Sequence, residues 1–368
     1  MRYIGIYWKA VQACRDSPSG RLATYTLPIT RRGPPVLTTR FTTAVHVDHP
    51  IVLGGMGVGT SPQLVAAVSE AGGLGILGAT HQTPAQIGEQ AAAIRAQTTR
   101  PFGLNFLLAF TDEDHLAAGL AARPPVLSFA WPSAQQDLGA IFARAHDAGA
   151  LVMHMVSTAA DALRAAEAGA DVIAAQGTEG GGHVGQMGTM VLVRQVALAV
   201  AERPVLAAGG IADGAGLAAA LALGADGVLL GTRFLATAEA PIHEKYKQAI
   251  VDSDGTDSIL TDIPDLAQGR VWPGAMSRVL RTRLIEEYLG REWLVRQQQA
   301  EVAARLARAR EIGDVANGSL GTGQVAGLID RIEPASALLR RIAQEAEDAI
   351  AHRLASMVGV PVGSRPGP

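Results

Sequence analysis

From Pro50 onward, short apolar runs alternate with alanine-rich amphipathic stretches. The apolar runs begin at Ile51, Leu74, Phe102, Val126, Leu151, Val172, Val205 and Gly227, and each is only a few residues long. Runs of that length, bounded by turn residues, read as strands buried on both faces. Between them, residues 61–71, 84–96, 133–148, 158–168, 189–201 and 213–223 carry apolar side chains at helical spacing. Ser61-Pro62, Thr83-Pro84 and Asp213 open three of these helices. A short polar side chain there accepts from unpaired N–H groups of the first turn, and proline suits the first helical position. Gly72, Gly149, Gly169 and Gly224 stand where helices should stop.

Eight strands alternating with helices, at about 25 residues per unit, predict a closed parallel (β/α)8 TIM barrel. A doubly wound open sheet would have fewer strands and a Gly-x-Gly-x-x-Gly turn after the first. Gly54-Gly55-Met56-Gly57-Val58-Gly59 matches that turn only loosely, and no acidic residue follows at the required distance. A nicotinamide Rossmann domain is therefore set aside. After Lys245 the pattern changes. Residues 246–320 show no strand-like run but two helical blocks, 275–289 and 292–311, which predict a helical cap. A glycine-rich return follows at 321–329, and 335–357 reads as a last amphipathic helix. The expected organisation is an N-terminal extension (1–36), a barrel (37–245), a cap (246–320), and a return segment with a helix packing on the barrel (321–358).

Composition narrows the function. Hydrophobic residues make up 48% of the 368, enough for a large core without disulfides. The net charge of −3 argues against a general nucleic-acid or membrane-surface binder. The single cysteine, Cys14, rules out an internal disulfide and a cysteine metal site. No stretch approaches the roughly 20 apolar residues of a membrane span, and the apolar residues 3–8 are too short and aromatic for a signal-peptide core. A cytoplasmic protein is expected, with the extension ordered only if docked elsewhere. Apolar stretches in the cap are compatible with a homodimer.

In a barrel of this kind, loops after the strands build the active site, and the last two strands often hold a phosphate. Strand seven runs into Ala207-Ala208-Gly209-Gly210-Ile211-Ala212-Asp213-Gly214, and strand eight into Leu229-Leu230-Gly231-Thr232-Arg233-Phe234. Both loops offer unobstructed backbone N–H groups leading into a helix, and Thr232 adds a hydroxyl. A sugar phosphate, a nucleotide or flavin mononucleotide (FMN) would fit. Gly55 and Met56 offer bare backbone and a soft side chain for a flat ring. Asn105 and Gln176 put amides at strand ends, which suit a heterocycle of alternating donors and acceptors. Each could instead be a buried, satisfied polar residue. Glu179-Gly180-Gly181-Gly182-His183 fills the longest gap in the repeat, directly behind Val172–Gln176. A ring on a flexible glycine-rich shelf marks His183 as the candidate acid/base, or else as a ligand-orienting loop residue. His154, between Met153 and Met155, reads as a core residue. No carboxylate pair stands at ligand spacing with either histidine, so no metal is expected. No Gly-x-Ser-x-Gly elbow occurs.

Ala71-Gly72-Gly73-Leu74-Gly75, residues 101–105, 176–185, 207–213 and 231–235 together resemble the FMN-dependent nitronate monooxygenases, formerly called 2-nitropropane dioxygenases. That family shares its fold with flavin-dependent enoyl-acyl-carrier-protein reductases. The resemblance implies FMN contacts at Gly55, Met56, Asn105, Gln176, Gly181, Gly209, Gly210, Leu230, Gly231 and Thr232, with His183 as general base. It implies a nitronate or nitroalkane substrate oxidised with O2 to a carbonyl compound and nitrite. Leu53 stands where the family usually has Gln, and the cap has few tyrosines beyond Tyr246 and Tyr288. Residues 188–196 and 323–328 look as much like the enoyl reductases, so an FMN-dependent NAD(P)H reductase of an enoyl thioester or quinone is the alternative. Nine arginines against four glutamates between Arg270 and Arg310 are a solvated face, or a docking surface for an acidic carrier. A non-catalytic flavin-binding barrel is a further alternative.

Overall fold

A computed structural model describes residues 37–358. The N-terminal extension, with Cys14 and residues 3–8, lies outside the described residues. Eight parallel strands close into a barrel: β1 (Ile51–Leu53), β2 (Leu74–Gly78), β3 (Phe102–Leu107), β4 (Val126–Ala130), β5 (Leu151–Val156), β6 (Val172–Gln176), β8 (Val205–Ala208) and β9 (Gly227–Leu230). β1 pairs with β9, Val52 opposite Leu229, which completes the ring. All eight begin at the residues where the apolar runs begin. Their buried side chains, among them Val52, Ile76, Val126, Met153, Ala174 and Leu206, fill the inside of the barrel.

The outer helices follow the start signals. Ser61 and Thr83 each accept a backbone N–H of the first turn, ahead of Pro62 and Pro84. The C-terminal helix Ala335–Asp348 buries Ala335, Leu338, Leu339, Ile342, Ala343 and Ala346, one stripe at helical spacing. It packs against Gly214–Ala222 and Pro62–Glu70 and so fills the gap in the helical ring. Each fully buried leucine or isoleucine of that stripe contributes about 1.5–3 kcal/mol. Glu333 just before this helix accepts from Arg233 and Arg341, both at 2.5 Å, and ties it to the segment after β9.

The cap departs from the sequence expectation. Residues 246–320 contain two strands, β10 (Ser258–Thr261) and β11 (Met276–Leu280), where the sequence pattern predicts a wholly helical cap. Together with β7 (Gly182–Val184) they form a three-stranded antiparallel sheet in the order β10-β11-β7. The predicted helical block 275–289 is therefore a strand followed by the short helix Arg283–Tyr288, and 292–311 is broken into Glu292–Gln297 and Gln299–Ile312. Buried Ser277 through Leu280 lie on β11, and Arg278 sends its guanidinium to the Thr178 and Ser258 carbonyls. Long-range pairing has overridden local pattern here. The cap has its own core of Ile263, Val279, Leu284, Ile285, Tyr288, Val295 and Val302. Among the described residues no helix is long and apolar enough to cross a membrane.

His154 sits on β5 at 3% exposure beside the Phe142 ring, and its Nδ1 has no hydrogen-bond partner. Burial pushes its pKa from 6.5 down to about 4. The folded protein therefore binds fewer protons than the unfolded chain between those values. The stability gained from holding the ring neutral is complete above pH 6.5 and is lost as pH falls toward 4. That contribution is about 3 kcal/mol. Urea unfolding of wild type and His154→Met at pH 7 and pH 4 should show the variant losing about 3 kcal/mol less on acidification. Equal losses would show that the ring does not titrate as its burial dictates.

Candidate functional site

A cavity of about 620 Å3 opens at the C-terminal ends of the barrel strands, beneath the cap. His183, Gly55, Met56, Asn105, Gln176, Gly181, Gly209, Gly210, Leu230, Gly231 and Thr232 all line it. The chain brings these positions together from several different strand ends and the loop after β6. Among the described residues, no group of three or more His, Cys, Asp or Glu is placed to hold a metal ion.

The loops after β8 and β9 make one wall. Gly209 and Gly210 both take left-handed backbone angles, with φ of 98° and 73°. Successive glycines in that region turn amide groups toward a concave surface without a Cβ in the way. The helix N-terminus expected to help after β8 is already occupied: Asp213 accepts from Gly216 N–H, and Glu345 accepts from Gly214 N–H. Donors for an anion are therefore left to Gly209–Gly210, to Gly231 at the start of Thr232–Leu235, and to the Thr232 hydroxyl. Thr232 also accepts from Gly323 N–H at 3.0 Å, which brings the return segment into this wall. Gly181 and Gly323 cross so closely that a Cβ on Gly181 would lie 2.6 Å from Gly323 N.

Two amides on barrel strands, Asn105 and Gln176, also line the cavity. Asn105 Nδ2 donates to the Gly55 carbonyl at 3.3 Å, and its Oδ1 accepts from Ser128 at 2.9 Å. Its amide is thus committed to the protein and holds the Gly55 turn in place. Gln176 differs: its Oε1 is buried without a protein partner. An unmet amide oxygen beside bare glycine backbone suits the polar edge of a flavin ring. The site residues fit FMN, with Gln176 and Gly55 able to hold the ring and the two glycine loops with Thr232 able to hold its phosphate.

His183 does not stand on a loose shelf. It occupies the middle of β7, directly opposite Ser277 on β11. Its Nε2 lies 2.9 Å from both oxygens of Asp265, a carboxylate with 9% side-chain exposure on the cap helix Ile263–Ala267. A carboxylate only accepts, so Nε2 carries the proton and Nδ1 holds the lone pair of the neutral ring. Trp272 stacks on the imidazole with ring centroids 3.3 Å apart and planes 12° off parallel. Phe110 and Trp131 pack on Trp272 in turn. Trp131 has a φ of 51°, an uncommon backbone state for a bulky residue, right at the end of β4. Sequence reasoning does not find Asp265, Trp272, Ser128 or Trp131. Only Trp131 carries a signal, an aromatic immediately after a strand. Arg270 and Arg310 are the remaining charged residues on the cavity wall.

The family model for nitronate monooxygenase matches residues 38–121 and 108–345. A (3aS,4S,5R,7aS)-5-hydroxy-7a-methyl-1-oxo-octahydro-1H-indene-4-carboxyl-CoA dehydrogenase of Mycobacterium tuberculosis is 37% identical over 254 residues, covering 68% of each chain. A probable nitronate monooxygenase of Staphylococcus aureus is 30% identical over 67% of this chain and 79% of its own. Among solved structures, FabK from Thermotoga maritima superposes with a TM-score of 0.78 at 36% identity, over 87% of this chain and 99% of its own. A nitroalkane oxidase from Streptomyces ansochromogenes gives a TM-score of 0.72 at 30% identity, over 84% and 99%. The chain belongs to the nitronate monooxygenase family, related to the flavin-dependent enoyl-acyl-carrier-protein reductases, and is an FMN-dependent oxidoreductase.

Proposed function

We propose that the protein oxidises nitroalkanes and alkyl nitronates with O2 to a carbonyl compound and nitrite, with His183 as the general base. The observation that carries this reading is the fixed His183–Asp265 pair on the cavity wall. A carbon bearing a nitro group is acidic, and its first requirement is an acceptor for one proton. Nδ1 of His183 provides that acceptor, because Asp265 holds the hydrogen on Nε2. Stacking on Trp272 fixes the ring plane, so little reorientation is needed as the proton moves. Phe110, Trp131 and Trp272 give this corner an apolar lining that limits water around the new imidazolium–nitronate pair. Bound FMN supplies the electron transfer and the reaction with O2. Gly55, Met56, Asn105, Gln176 and Gly181 would orient its ring, and Gly209, Gly210, Leu230, Gly231 and Thr232 would hold its ribityl phosphate end.

A second reading is favoured by the similarity to a carboxyl-CoA dehydrogenase and to FabK, both at higher identity than the nitronate monooxygenase and nitroalkane oxidase relatives described above. In it, the same histidine would exchange a proton with a thioester substrate, and bound FMN would supply the redox chemistry with a nicotinamide as its partner. Anaerobic addition of NADH or NADPH separates the two. Slow or absent flavin bleaching by nicotinamides, with fast bleaching by ethyl nitronate, is expected for the first reading, and the reverse for the second.

His183→Asn should lower kcat/KM for neutral nitroethane by about a hundred- to ten-thousand-fold. Pre-formed ethyl nitronate, which needs no deprotonation, should lose far less. Equal losses on both substrates would remove His183 from the role of base. In Asp265→Asn the amide can donate to Nε2, so the working tautomer is no longer enforced. Steady-state kinetics of this variant should show the nitroethane kcat falling at least about tenfold with flavin content unchanged. An unchanged kcat would show that the carboxylate does not position the ring.

A further inference from the structure

Glu179 opens the glycine run that leads to His183, and neither reading of the reaction uses its carboxylate. Arg278 is near enough to feel that charge, yet its guanidinium donates to the Thr178 and Ser258 carbonyls. Both carboxylate oxygens turn to Thr189 instead. They accept from its N–H at 3.0 and 2.9 Å, and Oε2 accepts from its hydroxyl at 2.7 Å. Thr189 begins the helix Thr189–Ala199, and Gly188 before it has no side chain to accept from the first turn. An acid from outside the helix therefore caps it, and a negative charge at that end is favourable.

Capping accounts for the bonds to the N–H, but not for what lies on the other side of Thr189. Its hydroxyl oxygen is 3.1 Å from the Gly209 carbonyl oxygen. The hydroxyl has a single hydrogen to share between that carbonyl and the carboxylate, so the two acceptors are coupled through it. Packing is equally close. A Cβ on Gly209 would lie 3.0 Å from the Thr189 hydroxyl, and one on Gly210 would lie 3.3 Å from the Glu179 Cβ. The main chain of Glu179 is also linked to the loop after β9. Its carbonyl accepts from Gln324 N–H at 3.0 Å, beside Gly323, whose N–H donates to the Thr232 hydroxyl. One residue thus backs both glycine loops.

We propose that Glu179 is a positioning residue for the FMN phosphate, fixing through Thr189 the Gly209–Gly210 turn that offers it backbone N–H groups. The role presupposes the phosphate placement given above, between the loops after β8 and β9. Two successive glycines at φ of 98° and 73° have many other backbone states open to them. A turn without a brace has to be ordered each time the anion binds, which weakens the affinity. The oxygens of Glu179 are spent on Thr189, so the carboxylate acts on the turn by contact and not as a charge offered to the ligand.

Competitive dialysis of the FMN-loaded full-length protein tests it. Riboflavin has the same ring and ribityl chain without the phosphate, so the ratio of bound FMN to bound riboflavin isolates the phosphate contacts. The protein is equilibrated against mixtures of the two, and the retained flavins are quantified by chromatography. Wild type should prefer FMN. Glu179→Ala and Thr189→Val should each lower that preference by about tenfold. Glu179→Gln, whose amide oxygen still accepts from Thr189, should stay within about threefold of wild type. A general loosening of the fold would weaken both flavins alike and leave the ratio unchanged. An unchanged ratio in both Glu179→Ala and Thr189→Val, or a preference that rises as the charge is removed, overturns the proposal. A wild type that holds the two flavins equally overturns the phosphate placement and the brace with it. A discriminating wild type with equally discriminating variants refutes the brace alone. Turnover does not enter, so the nitronate reading stands or falls separately.

Discussion

Three residues of backbone pairing hold the candidate chemistry together. Gly182, His183 and Val184 add a strand to Met276–Leu280, and that ladder fastens the loop after β6 to the cap. Without it, His183 would stand on a run of glycines free to sample many orientations, at a large entropic cost to any defined geometry. With it, the imidazole faces a carboxylate and an indole contributed by the same cap, one fixing the tautomer and the other the ring plane. Barrel and cap thus share one cavity: the first supplies most of its walls, the second the partners of the imidazole.

The same division separates what the chain shows locally from what it hides. A barrel strand is short, apolar on both faces and bounded by turns, so all eight starts are visible, as is the buried stripe of Ala335–Asp348. The glycine loops after β8 and β9 are visible because a strand end without side chains leaves its backbone N–H groups open to a ligand. β10 and β11 are hidden. Met276–Leu280 interleaves apolar residues with an arginine inside an arginine-rich stretch, and its partner strand Gly182–Val184 offers only one β-branched residue, so neither side shows strong β propensity. Asp265 lies 82 residues from His183, and no local pattern connects them. The helix after β8 reads as an anion site in the sequence because Glu345, 131 residues away, cannot be seen from the residues around Gly214.

Geometry gives the two amides marked as flavin ligands different duties. Asn105 spends both ends of its amide on Gly55 and Ser128 and braces the Gly55 turn on the cavity wall. Gln176 keeps an oxygen without a protein partner. The separation suits a site in which some polar groups shape the wall and a smaller number meet the ligand. The aromatic corner of Phe110, Trp131 and Trp272 uses two of the chain's four tryptophans, in a protein with only 4% aromatic residues. Concentrating them around one imidazole shields that ring from bulk water.

The most direct test of this account is hydrogen exchange at carbon. The protein is incubated with nitroethane in D2O without oxygen, and deuterium entering the α-carbon is followed by NMR. An imidazole held by Asp265 with a free Nδ1 should catalyse that exchange well above the rate in buffer. Exchange at the buffer rate, in protein that retains its flavin, would contradict the claim that His183 takes a proton from the substrate carbon.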